Sequence, residues 1–372
     1  MDAASQPLEG ALAGLRVLDF STLLPGPLAT LLLAECGAEV IKIERPDGGD
    51  GMRNRAPEFG GDSAAFALLN RGKRSVAIDL KLPSARAQLL PLLESADVLI
   101  EQFRPGVMER LGFGYDSVRA VNPRLVYCSI TGYGQAGARA EKAGHDLNYL
   151  AEAGLLSLAA GTDGAPAMPA GPVADLAGGS YPAVLNILLA LQRRARTGTG
   201  CRLDIAMADN LFPFMYAALA RGFAADDWPA PGPGAWSGAS PRYRCYRTLD
   251  GRYAAVAAVE EQFWRNFCAA IGVLPAAASA GAVAAVIATR TAAEWERAFA
   301  GQDVLVSIVR SVEEAVRDPI VQAEGLFRRT ISAAGRSMPA LPLPVAAALR
   351  QPAGDDTYPR LGEANALLGP AP

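Results

Sequence analysis

The first 130 residues alternate short apolar runs with longer segments of helical spacing. Residues 16–20, 39–43, 75–79, 97–101 and 124–130 are rich in Val, Ile and Leu and show little polar alternation. That pattern predicts strands buried on both faces, since a half-solvated strand would alternate with a period of two. Between them, residues 27–36 and 82–95 read as helices. Gly37 follows the first, where a residue without Cβ can take the left-handed cap conformation, and Pro83 stands at the start of the second. Strand and helix repeated in this way predict a parallel sheet with helical crossovers.

The alternation continues with a long apolar helix over 181–196, ending in Thr-Gly-Thr-Gly, then a strand over 202–206 and an apolar helix from 207 to about 223. Composition then shifts. Residues 224–240 are rich in Pro, Gly and Trp and read as a linker or a long functional loop. Beyond them, 243–248 and 253–259 flank Leu-Asp-Gly, a hairpin signal, and helical segments follow at 261–271, 276–289 and 291–299. The tail from about 337 is proline-rich with little periodicity. The expected organisation is a large α/β domain over residues 1–206, rejoined by 337–372, a linker over 207–242, and a smaller α+β domain over 243–336.

Composition narrows the class. Hydrophobic residues make up 51 % of the 372 and charged residues 20 %, ordinary for a globular protein with sizeable cores. A net charge of −3 argues against an extended nucleic-acid surface. Residues 1–10 lack the basic start and apolar core of a secretion signal. The longest strongly apolar stretch, 181–191, is shorter than the ~20 residues of a membrane helix. A cytoplasmic protein without membrane insertion is therefore expected. Its five cysteines (Cys36, Cys128, Cys201, Cys245, Cys268) are scattered without a CxxC pair, which fits reduced thiols better than disulfides or a zinc site. The single histidine, His145, excludes a multi-histidine metal centre and makes itself the sole source of imidazole chemistry.

His145 lies in Ala-Gly-His-Asp-Leu-Asn-Tyr, just before a predicted short helix. Unpaired N–H groups at a helix start suit a developing oxyanion, and an imidazole suits proton transfer at neutral pH; the competing reading is a structural histidine. Asp175 precedes the long apolar helix, as nucleophile or base or simply as an N-cap. Glu260 opens Glu-Glu-Gln-Phe-Trp and is equally readable as a helix-start residue. Among the cations, Arg45 and Lys81 each follow a predicted strand, while Arg104 and Arg110 follow a third. Ligands of open parallel sheets collect beyond the strands' carboxyl ends, so these residues are candidate phosphate partners or else a solvated rim. The first strand is followed by Ser-Thr-Leu-Leu-Pro-Gly-Pro and not by GxGxxG, which makes NAD or FAD binding unexpected. There is also no GxxxxGK[ST] and no GxSxG.

Several segments together resemble the family III CoA-transferase superfamily, in particular its α-methylacyl-CoA racemase branch. They are Leu-Ala-Gly-Leu-Arg-Val-Leu-Asp-Phe (residues 12–20), Pro-Gly-Pro (25–27), Gly-Ala-Glu-Val-Ile-Lys-Ile-Glu-Arg-Pro (37–46), Asn-Arg-Gly-Lys-Arg-Ser-Val-Ala-Ile-Asp-Leu-Lys (70–81), residues 104–112, and Thr-Gly-Tyr-Gly-Gln (131–135). The resemblance implies a large Rossmann-like domain plus a small α+β domain, paired in an interlocked homodimer. It implies acyl-CoA as substrate and no separate cofactor, coenzyme A being part of the substrate.

Residue by residue, the resemblance makes His145 a catalytic base and Asp175 either the second base of a racemase or the covalent nucleophile of a transferase. Glu260 becomes the partner of the histidine, approaching from a second copy of the chain, and the Asp146 backbone N–H holds the enolate oxygen. CoA contacts fall on Arg45, Ile78, Leu80, Lys81, Arg104 and Arg110, with Gly144 and Tyr149 beside the acyl thioester. The implied activity is interconversion of (2R)- and (2S)-2-methylacyl-CoA; CoA transfer through Asp175 is the alternative, and an inactive CoA-binding protein a third reading. The chain departs from the family in three places, the first being a small domain that is short around Gly301–Asp318. Gly-Ala-Ser-Pro-Arg-Tyr-Arg (238–244) puts Arg242 and Arg244 beside the expected acyl entrance, and Leu-Gly-Glu-Ala-Asn (361–365) lacks a histidine often found there.

Overall fold

The five early apolar runs become strands of one parallel sheet. They are β1 (Arg16–Asp19), β2 (Glu39–Glu44), β3 (Arg74–Ala77), β4 (Val98–Glu101) and β5 (Val126–Thr131), and β6 (Cys201–Ala206) completes it. The order is β3-β2-β1-β4-β5-β6 and every pairing is parallel. The interior strands β4 and β5 are buried along their whole length, as their unbroken apolar runs require. This is the doubly wound order, in which the winding direction reverses between β1 and β4. The computed structural model describes residues 10–159, 165–229, 238–352 and 354–370.

The chain divides into two compact units. Met1–Ala153, Pro169–Phe214 and Gly325–Pro372 form the first; Gly154–Met168 and Met215–Glu324 form the second. In the first, α1 (Pro25–Glu35) and α2 (Ala64–Asn70) cover one side of the sheet with Phe59, Phe66, Ile331 and Tyr358. On the other side α3 (Ala85–Ser95) packs with Phe20, Phe113 and Tyr127. Residues 82–84 form a turn ahead of α3 and are not part of the helix. The first unit also carries α4 (Asp146–Ala153) and a π-helical segment, Ala174–Ser180, that runs into α5 (Tyr181–Thr197).

Taken together, Ala174–Thr197 is 24 residues long and holds an 18-residue window of mean hydropathy 1.3, enough by length and composition to cross a membrane. This corrects the expectation drawn from 181–191 alone. The helix is part of the first unit's core: Ala183, Ile187 and Ala190 are buried, and the buried Arg194 pairs with Asp97 at 2.8 Å.

A dense ionic network closes the switch point. Asp19, the last residue of β1, accepts from Thr30 Oγ1 at 2.6 Å, from Lys73 Nζ at 3.1 Å, and from the Ser21 hydroxyl and N–H. Lys42 Nζ donates to the Ser21 carbonyl at 2.8 Å and lies 3.0 Å from Asp50 Oδ2. Both lysines and both aspartates have buried side chains. Asp50 in turn accepts the Leu23 N–H and caps the 3-10 turn Gly51–Asn54. The N-terminus of α1, which could otherwise face a pyrophosphate, is thereby filled. Pro25 and Pro27 have no N–H, and the Gly26 N–H goes to Gln102 Oε1 at 3.0 Å.

The proline-rich tail is ordered by charge. Glu35 meets Arg71 at 2.6 Å and Arg329 at 3.2 Å, and both arginines also pair with Asp356. A small sheet joins β10 (Thr330–Ala333) to β11 (Arg336–Pro339) and β12 (Asp355–Asp356), with β10 in the middle.

The second unit is built on an antiparallel sheet of β7 (Tyr243–Arg247), β8 (Tyr253–Ala257) and β9 (Val306–Ile308), with β8 central. The Leu-Asp-Gly turn closes the β7–β8 hairpin, with Gly251 at φ +80. The expected helix from 207 is broken. A 3-10 segment, Asp209–Met215, contains Pro213, and α6 (Tyr216–Ala225) starts after it. Residues 216–225 of the expected linker are thus helical and belong to this unit, and residues 230–237 lie outside those described. Helices α7 (Glu261–Ile271), α8 (Ala280–Ile287) and α9 (Ala292–Phe299) pack Trp264, Phe267, Trp295 and Phe299 against the sheet. Strand β10, placed by the sequence in the small domain, clusters with the first unit.

Replacing Asp19 by Ala leaves Lys73 buried without its counter-charge, which costs about 3–5 kcal/mol and should show as a lower urea midpoint at pH 7. Burial opposes ionisation of Asp19, but Lys42, Lys73 and two hydroxyls outweigh it and hold the carboxyl below its ordinary range. Its contribution is therefore full at neutral pH and is lost only as pH falls below about 4, the unfolded carboxylate value. Wild type and Asp19→Ala should converge in strong acid.

Candidate active site

Beyond the carboxyl ends of β5 and β6, three absent side chains set the geometry. A Cβ on Gly132, just after β5, would stand 2.5 Å from the Tyr149 ring, and one on Gly144 would stand 2.7 Å from it. Tyr149, on α4, therefore packs closely on two glycines and donates its hydroxyl to the Gly144 carbonyl at 2.5 Å. Its ring meets Tyr133 edge-on at 5.3 Å, and Tyr133 donates to Glu152 Oε1 at 2.8 Å. After β6, a Cβ on Gly178 would come within 2.4 Å of the Met207 carbonyl, so the π-helical segment can pack this tightly only on glycine.

These contacts bring His145, Asp146 and Asp175 together. His145 is exposed at the start of α4; its N–H donates to Asn148 Oδ1 at 3.0 Å and its carbonyl accepts the Asn148 and Tyr149 N–H groups. The imidazole is thus carried on a capped helix start with its ring toward solvent. Asp146 Oδ1 accepts the backbone N–H of Asp175 at 2.9 Å. That single bond ties the start of α4 to the π-helical segment. Among the described residues, no acceptor takes the Asp146 N–H, which leaves it available to an oxyanion.

Electrostatics follow from this closeness. Burial pushes the half-buried Asp175 carboxyl up to about 6, the Asp146 charge adds to the rise, and His145 opposes it. Burial also raises Tyr149 to about 12, with the charges of Asp175 and Asp146 adding and Arg104 opposing. Arg104, an expected phosphate partner, is therefore electrostatically in reach of this group.

The other expected contacts are spread over neighbouring loops. Arg45 is exposed and donates to the Gly49 carbonyl at 2.9 Å. Lys81 and Arg110 are exposed. Leu80 is half-buried against the core beneath α3, and the Ile78 side chain lies within that core, so it is not available to a ligand. Glu260 lies in the second unit, at the N-cap position of α7, with extended backbone (φ −71, ψ 145) and no capping bond from its side chain. Its carboxylate is exposed. Arg242 stands beside it, donating to the Val259 carbonyl and to Glu261. Sequence reasoning assigned Asp146 only a backbone N–H; the tethering role of its carboxylate needs the three-dimensional neighbour, and the one trace of it is the adjacent His-Asp pair.

Fold and site together define a doubly wound α/β protein whose switch point is sealed and whose titratable groups lie beyond the last two strands. The model of CoA-transferase family III matches residues 12–365, and the chain belongs to that family. It is 36 % identical to the human alpha-methylacyl-CoA racemase over 329 residues, 85 % of this chain and 82 % of that protein. It is 32 % identical to the succinate–glutarate CoA-transferase of Agrobacterium fabrum over 381 residues, 96 % of this chain and 94 % of that one. A CAIB/BAIF family protein from Brucella suis superposes with TM-score 0.84 at 28 % identity, covering 96 % of this chain and 98 % of that structure. The chain is therefore an enzyme of the CoA-transferase and racemase family.

A carboxyl whose native value is raised holds its proton more tightly when folded, so stability falls as pH rises from about 4 towards 6 and the cost persists above. Asp175→Asn removes that cost. The variant should be more stable than wild type at pH 8 by about 1 kcal/mol, discounted for partial exposure. Near pH 4 the difference should vanish, as urea unfolding at the two pH values would show.

Proposed function

We propose that the protein is a racemase or epimerase of 2-methylacyl-CoA thioesters. The observation that carries this reading is the bond from the Asp175 N–H to the Asp146 carboxylate, which gathers an exposed imidazole and a carboxyl raised to about 6 around a free helix-start N–H. The Asp175 carboxyl then titrates near neutrality, where a residue can both take and return a proton, and the imidazole is the second base beside it. In the reading, one base removes the α-proton and the C–H electron pair delocalises into the thioester carbonyl. The Asp146 N–H holds the resulting enolate oxygen. The other base delivers a proton to the opposite face, and the roles reverse for the enantiomer. Arg45, Lys81, Arg104 and Arg110 are assigned to the CoA phosphates, Tyr149 and Gly144 to the walls beside the thioester. Glu260 is assigned to orient the imidazole from a second copy of the chain. A second copy also accounts for the apolar surface of α5, where Leu185 and Leu189 are each 59 % exposed.

The second reading is CoA transfer, in which Asp175 attacks the acyl carbonyl and then carries CoA as an aspartyl thioester to a free carboxylate. It is favoured by the likeness to transferases, among them the Acetobacter aceti acetyl-CoA:oxalate CoA-transferase, 41 % identical over 212 residues, or 57 % of this chain and 54 % of that one. A transferase, however, has no use for the imidazole.

One enantiomer of a 2-methylacyl-CoA incubated in D2O without added carboxylate separates the two. Racemisation predicts deuterium at the α-carbon together with loss of optical purity. His145→Ala should lose both by about 10²–10⁴-fold, the usual contribution of a general base, while CoA binding is retained. Absence of exchange, with CoA moving once a carboxylate is supplied, would establish the transferase.

A further inference from the structure

Pro182 stands where the π-helical segment passes into α5, and the hydrogen bonding changes at that point. The Tyr181 N–H reaches back five residues to the Leu176 carbonyl, the spacing of a π-helical turn. The next residue, Pro182, has no N–H to give. In an α-helical register that N–H would close on the carbonyl four residues back, which belongs to Gly178. Gly178 is buried, and a buried carbonyl left unpaired is costly. Asn210 makes good the missing bond: its Nδ2 donates to the Gly178 carbonyl at 2.8 Å.

The chain just before Asn210 fits the segment as closely. A Cβ on Gly178 would come within 2.4 Å of the Met207 carbonyl, and one on Gly179 within 3.1 Å of Met207 Sδ. The Ser180 hydroxyl donates to the Pro25 carbonyl at 2.8 Å and lies 3.2 Å from the Asp175 carbonyl, which ties the segment to the start of α1. These contacts hold the extra residue of the wide turn in place, and what depends on it is direction. With 3.6 residues per turn, drawing that residue into the α-helix would rotate everything before it by about 100°. Asp175 would then turn away from Asp146, whose carboxylate accepts its N–H at 2.9 Å.

We propose that Pro182 and Asn210 are positioning residues for Asp175: the proline denies the α-helical bond at Gly178 and the asparagine replaces it, so that the segment keeps the register that aims Asp175 at α4. The inference rests on the reading above only in taking Asp175 as a reacting group.

The test removes the two in turn, in the full-length protein. Asn210→Ala leaves the Gly178 carbonyl unserved, and kcat for racemisation of a 2-methylacyl-CoA should fall about 10²-fold, the scale of a ~1 Å misplacement. KM should hardly move, because CoA is assigned to other residues. Adding Pro182→Ala returns an N–H to that carbonyl. The urea midpoint of the double variant should then recover towards wild type while kcat stays low, a split that damaged folding alone would not give. Recovery of kcat together with the midpoint, or a kcat in Asn210→Ala equal to that of wild type, would overturn the inference. A carbon-13 NMR titration of the Asp175 carboxyl, assigned with Asp175→Asn, needs no substrate. In wild type burial and the Asp146 charge, opposed by His145, put it at about 6. In the double variant, with Asp175 turned away, it should fall towards the ordinary carboxylate range; an unchanged titration there also overturns the inference, whichever reaction the enzyme runs. A lowered titration in a protein whose wild type exchanges no α-proton sustains the inference and removes only the racemase.

Discussion

Everything in the first unit is arranged around a buried charge problem at the end of β1. Asp19, Lys42, Lys73 and Asp50 have all been taken out of water, and each such ion costs several kcal/mol unless its partners are complete. They are complete here: two hydroxyls, the Ser21, Pro27 and Asn70 oxygens and the two counter-charges surround the lysines and Asp19. Burial pulls the Lys73 ammonium down to about 8 even with Asp19 beside it, a measure of how dry the site is. The network binds β1, β2, α1, the end of α2 and the 3-10 turn after β2 at one point. It occupies the crevice where a doubly wound sheet ordinarily takes its ligand. With that crevice filled, the chemistry has to be placed elsewhere along the strands' carboxyl edge.

Where it is placed depends on glycine. Tyr149 can lie on the chain after β5 only because Gly132 and Gly144 leave room, and the π-helical segment can rest on Met207 only through Gly178. Those two close approaches set the separation between the start of α4 and Asp175. The Asp146 carboxylate then bridges the remaining gap with one hydrogen bond. A π-helical segment tilts its first residues away from the path of the following helix, which is one reason such segments recur at functional positions. Here it points Asp175 at α4 while α5 continues along the sheet.

The sheet was legible because its strands are buried on both faces and so read as unbroken apolar runs. The 3.6-residue apolar spacing of α5 and α7 was legible for the complementary reason. What escaped were elements whose determinants are distant or polar. Helix α2 is seven residues long, too short to show a period, and is held by Ser63 at its N-cap and by burial of Phe66. The C-terminal sheet is specified by Glu35, Arg71, Arg329 and Asp356, four charges far apart in sequence that read as surface until the fold brings them together. For the site, the resemblance supplied His145, Asp175 and Glu260, whereas the residues taken one at a time left each open to a bland reading. The coupling of Asp175 to Asp146 across 29 positions was in neither.

The two candidate reactions ask opposite things of Asp175. A nucleophile must be ionised when acyl-CoA arrives, and a carboxyl raised to about 6 is ionised at neutral pH with little to spare. A proton relay works best when its value lies close to that of its counterpart, because neither direction of transfer is then strongly uphill. Partial burial and the Asp146 charge raise Asp175 to about 6, and His145 opposes the rise. The same Asp146 carboxylate thus does two things at once: its oxygen accepts the Asp175 N–H, and its charge adds to the rise that burial gives the Asp175 carboxyl. A site evolved only to attack a carbonyl would gain from a cation at that position. The acid found there, Asp146, adds instead to the rise of the Asp175 carboxyl.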